Sequence, residues 1–131
     1  MTKPVTEESV VEELNSLLED TRKDIDDVRA ELKDALGESA DKAIGTVVTR
    51  LGLRLANLEG RYDLYKTVDY RLHDHAHHDV AYEDRQRRTY YLLVNRLAQT
   101  PTEDLVNHAA QAHQEGFRLA FRDVVNWLVV D

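Results

Sequence analysis

The 131-residue chain contains no cysteine. That excludes disulfides, zinc–thiolate sites, iron–sulfur clusters and a cysteine nucleophile, and it fits a reducing compartment: the expected location is the cytoplasm, or a particle assembled there. Proline occurs only at positions 4 and 101, so none interrupts a helix between Val5 and Thr100. Glycine is sparse, at positions 37, 45, 52, 60 and 116. No apolar run approaches the roughly 20 residues of a membrane-spanning helix. Met1 to Glu13 hold no apolar stretch of the kind found in a secretory signal, so no leader is expected. There is no Gly-rich phosphate loop, no His-Glu-x-x-His and no Ser-His-Asp set in a strand–turn context, which argues against an enzyme. His113, in Ala112-His113-Gln114-Glu115-Gly116, lacks the lysine and the spacing of a phosphotransfer helix.

The net charge is −8, and its excess sits at the front. Residues 1–36 hold eleven Asp/Glu against five Lys/Arg; the remainder holds fourteen against twelve. Such a chain repels a phosphate backbone unless its cations are segregated. Arg85, Arg87 and Arg88, with Arg71 and the nearby histidines, form the one locally basic region, and a solvated or salt-bridged face explains them better. Nucleic acid is therefore not an expected partner.

What is abundant is helical periodicity. The first helix is expected at about 6–36, capped by Thr6 with Glu7 and Glu8 at the positive end of its dipole. Its stripe is Val11, Leu14, Leu18, Thr21, Ile25, Val28, Leu32 and Ala35, in alternating four- and three-residue steps. Gly37 ends it, and Ser39 caps a second helix at about 39–72. A link this short folds the two into an antiparallel hairpin. The second stripe is Ile44, Val48, Leu51, Leu55, Leu58, Tyr62, Tyr65, Asp69 and Leu72, with Gly60 the place for a kink. A His-rich joint follows at 73–79, then a helix at about 80–98. The Tyr90–Val94 segment of that helix is apolar on all sides and predicts burial between several neighbours. Thr100-Pro101-Thr102-Glu103 carries the cap, proline and glutamate of a last helix at about 101–130. The expected fold is a single all-α domain: an elongated antiparallel bundle of three to four helices with coiled-coil-like heptad seams.

The peptide His73-Asp74-His75-Ala76-His77-His78-Asp79 is the chemically distinctive one. On a helix His73 and His77 share a face, Asp69 extends that line backward, and Asp74 pairs with His78. Ligands four apart can chelate one ion, which makes His73, His77, Asp69 and Asp74 the candidate set for a divalent transition metal such as zinc. Against this, the histidines point around most of the helix, and the Glu-x-x-His pairs of a di-iron bundle are absent. A polar joint is the plainer reading. The six tyrosines fall at helical spacing and read as core rather than as a ligand pocket.

Two apolar sets exceed what one small bundle needs. They are Leu51, Leu55, Leu58 and Tyr62 on the second stripe, and Phe121, Val125, Trp127 and Leu128 near the C-terminus. Together they point to a non-enzymatic assembly subunit without a resident cofactor, of scaffold, adaptor or virion type. Such a subunit self-associates or packs with protein partners in a larger particle. The alternative is a metal-binding or pH-sensing helical bundle.

Overall fold

A computed structural model describes residues 6–37, 42–73, 80–99 and 107–129. The protein is an all-α helical bundle, with no strand among the described residues. Its helices are α1 (Glu7–Gly37), α2 (Lys42–His73), α3 (Tyr82–Gln99) and α4 (His108–Val124), and one turn of 3-10 helix, Val125–Trp127, follows α4. No described helix is long and apolar enough to cross a membrane.

Local chemistry sets the boundaries. The Ser9 N–H donates to Thr6 Oγ1 and the Thr6 N–H donates to Ser9 Oγ, each at 3.1 Å. This is a reciprocal capping box with serine where glutamate is usual. The candidate cap Ser39 and the signal at Thr100–Glu103 lie outside the described residues. The last helix, expected from 101, instead begins at His108. Asn107 holds extended backbone (φ −93°, ψ 124°), and its side chain accepts from the N–H groups of Ala109 and Ala110. That side chain satisfies two of the four orphan donors at a helix start, which fixes the boundary there. The expectation of helix to 130 also fails, because the α-helix gives way to the 3-10 turn after Val124.

α2 is the central helix. One face meets α1 in antiparallel sense. Val10 and Leu14 join Leu64, Tyr65, Val68 and Leu72 in the main core, while Ile25 and Val28 join Leu58, Leu51, Leu55 and Tyr62 in a second cluster. The opposite face meets α4, and these two helices run parallel. Asn57 Nδ2 donates to the Ala112 carbonyl at 3.2 Å, and the Tyr65 hydroxyl donates to Asp123 Oδ2 at 3.0 Å. At this crossing the backbones touch. A Cβ on Gly60 would stand 2.0 Å from the His113 carbonyl oxygen, and one on Gly116 would stand 1.9 Å from that of Asn57. α3 packs at the side, antiparallel to both, with Arg96 paired to Asp63 at 2.9 Å and its guanidinium 4.2 Å over the Phe117 ring. Leu14, Leu64, Leu72, Leu93, Phe117 and Leu128 are fully buried, each contributing about 1.5–3 kcal/mol.

Two expectations change. Gly60 is not a kink: α2 runs through it, and its missing side chain admits α4. Tyr90–Val94 is not enclosed. Tyr91 is 64% and Leu92 41% exposed, because α3 is an outer helix that buries only the line of Thr89 and Leu93. Thr21, the polar seat of the first stripe, is buried and its hydroxyl donates to the Leu17 carbonyl of its own helix at 2.6 Å.

Candidate functional site

The end of α2 and the start of α3 meet in a polar corner. His73 Nδ1 lies 3.0 Å from Asp69 Oδ1, one helical turn back, and Nε2 lies 3.3 Å from the Tyr82 hydroxyl. The two rings stack with centroids 6.0 Å apart. Arg85 closes the corner. Its Nε donates to the Val80 carbonyl at 3.1 Å, its Nη1 donates to the Leu72 carbonyl, and Nη2 stands 3.9 Å from Glu7 of α1. The guanidinium also lies 5.1 Å over the Tyr82 ring. Arg85 thus ties α1, α2 and α3 together rather than lining a solvated basic face. Its neighbour Arg87 pairs with Glu83 and Asp84 on its own helix.

Burial holds the Tyr82 phenol up at about 12, helped by the Glu7 charge and opposed by Arg85. It is a neutral donor, far from an activated nucleophile. Of the sequence-derived metal set, the structure brings Asp69 and His73 together. His77 and Asp74 lie outside the described residues. Both ring nitrogens of His73 already have partners, so an ion at this ring has to displace Asp69 or Tyr82. Among the described residues, no group of three or more His, Asp and Glu side chains is placed to hold a metal.

A second feature is a cleft of about 480 Å³ between α1, α2 and the first turns of α4. Arg22, Asp26, Arg29, Glu59, Tyr62 and His113 line it, and Arg29 and Glu59 face each other at 3.7 Å. Charges of both signs alternate there, with no nucleophile set beside a base.

The third feature is the far end of the α1–α2 hairpin. α4 lies on α2 along Asn57, Gly60 and Tyr65. One to three turns before Asn57, the same face of α2 continues as a shallow groove lined by Gly45, Thr46, Thr49, Arg50 and Leu53, all from α2. Among the described residues no other helix lines this groove.

The candidate interface residues divide. Leu58 and Leu128 are 7% and 1% exposed and are covered within the chain itself, so neither has surface to offer a partner. Leu51, Leu55 and Tyr62 are half-buried against Ile25 and Val28 of α1. Phe121 and Trp127 are half-buried against the main core, and Val125 is half-buried. The apolar tail therefore docks largely on its own bundle, with the Trp127 carbonyl accepting from Gln86 of α3, while Val129 stays 55% exposed.

No family model, curated protein or solved structure matches the chain. Two features of α2 lie beyond the stripes that the sequence shows. Asn57, Gly60, Leu64 and Val68 form a second line on α2, and Tyr65 reaches a carboxylate on α4. The first was detectable as a three-four-four spacing beside the stripe already counted. The second has no signature in one dimension.

Proposed function

We propose that the protein is a non-enzymatic assembly module, a helical subunit that associates with copies of itself within a larger particle. The observation that carries this reading is the hairpin end. Among the described residues the first turns of α2 pack on α1 alone, and no described helix lines the face that α4 occupies further along. A helix pair this long has little core of its own and gains stability when further helices complete it. Light scattering or sedimentation equilibrium across a wide concentration range tests this reading. A particle mass that rises with concentration is expected, and a strictly monomeric protein refutes the proposal.

The Asp69–His73 pair favours a second reading, a metal- or pH-responsive corner. It predicts that zinc or nickel raises the melting temperature by mass action. If His73→Ala leaves that rise intact, the corner is not the binding site.

A further inference from the structure

No further inference is drawn: the strongest candidate, the cleft of about 480 Å³ between α1, α2 and the first turns of α4, carries nothing, because His113 on its α4 wall stands within two helical turns of residues 100–106, which lie outside the described residues, so nothing in the structure shows what covers it.

Discussion

Adding one methyl group at each glycine of α2 and α4 separates two kinds of position that are identical in helix propensity. Alanine in place of glycine within a helix is ordinarily favourable by about 0.5–1 kcal/mol. At Gly45 and Gly52 a Cβ meets nothing within 4 Å, so that gain should appear undiminished. At Gly60 the same atom would stand 2.0 Å from the His113 carbonyl oxygen, and at Gly116 1.9 Å from that of Asn57, where ordinary contact begins near 3.4 Å. The obstacle is backbone on both sides and cannot rotate away, so α2 and α4 must part by roughly 1.4 Å. Parting them stretches the Asn57–Ala112 hydrogen bond, worth about 1 kcal/mol, and loosens the contacts of Phe117 and Ala120, an overpacking cost of about 1–3 kcal/mol. After the propensity gain, Gly60→Ala and Gly116→Ala should each destabilise by about 2–3 kcal/mol. For a chain of this size that is a fall in melting temperature of roughly 7–10 °C, against a rise of about 2–3 °C for Gly45→Ala or Gly52→Ala. Thermal melts and urea titrations followed by circular dichroism at low protein concentration read both. If all four variants shift in the same direction, α2 and α4 do not cross at these glycines.

Other consequences follow from single contacts. Arg85→Lys keeps the charge but loses the fork that reaches the Leu72 and Val80 carbonyls, and urea denaturation should show a loss of about 1–3 kcal/mol. Leu93→Ala should cost about 2–4 kcal/mol and Leu92→Ala less than about 0.5, although the two are adjacent, because only Leu93 is buried; equal losses would mean that α3 packs through a different face. The Tyr65 phenol is pushed up to about 12 by burial, then by its hydrogen bond to Asp123 and that residue's charge. A folded value above the unfolded one near 10 stabilises the fold fully below pH 10, and that contribution, at most about 3 kcal/mol, disappears as pH rises from 10 to 12. Tyrosinate absorbance and stability should therefore change together in that window, and Tyr65→Phe should flatten the stability change.

Most of the architecture was legible because helices announce themselves locally. The α1 stripe of Leu14, Thr21, Ile25 and Val28 is buried on one face, since a strict four-three rhythm permits little else. α2 was harder for the same reason in reverse. It is packed on two opposite faces, and one stripe was counted where two exist. Gly60 then looked like a defect in a single seam, although it is the centre of the second. The Tyr90–Val94 run misled in the other direction. Apolar side chains all round a helix imply neighbours all round only if the helix is interior, and α3 lies at the side of the bundle. The corner was half legible. Asp69 and His73 share a face by spacing alone, whereas Tyr82 and Arg85 arrive from a separate helix whose placement no periodicity encodes.

The glycines also bear on why the groove exists. Gly60 and Gly116 lower helix propensity but are offset by the close approach they permit. Gly45 and Gly52 lower it by the same amount, about 1 kcal/mol each relative to alanine, and no described residue of the chain approaches them. Among the described residues they are a cost without a return. Gly45 also lines the groove with Thr49 and Leu53, on a face that further along α2 admits another helix at backbone contact.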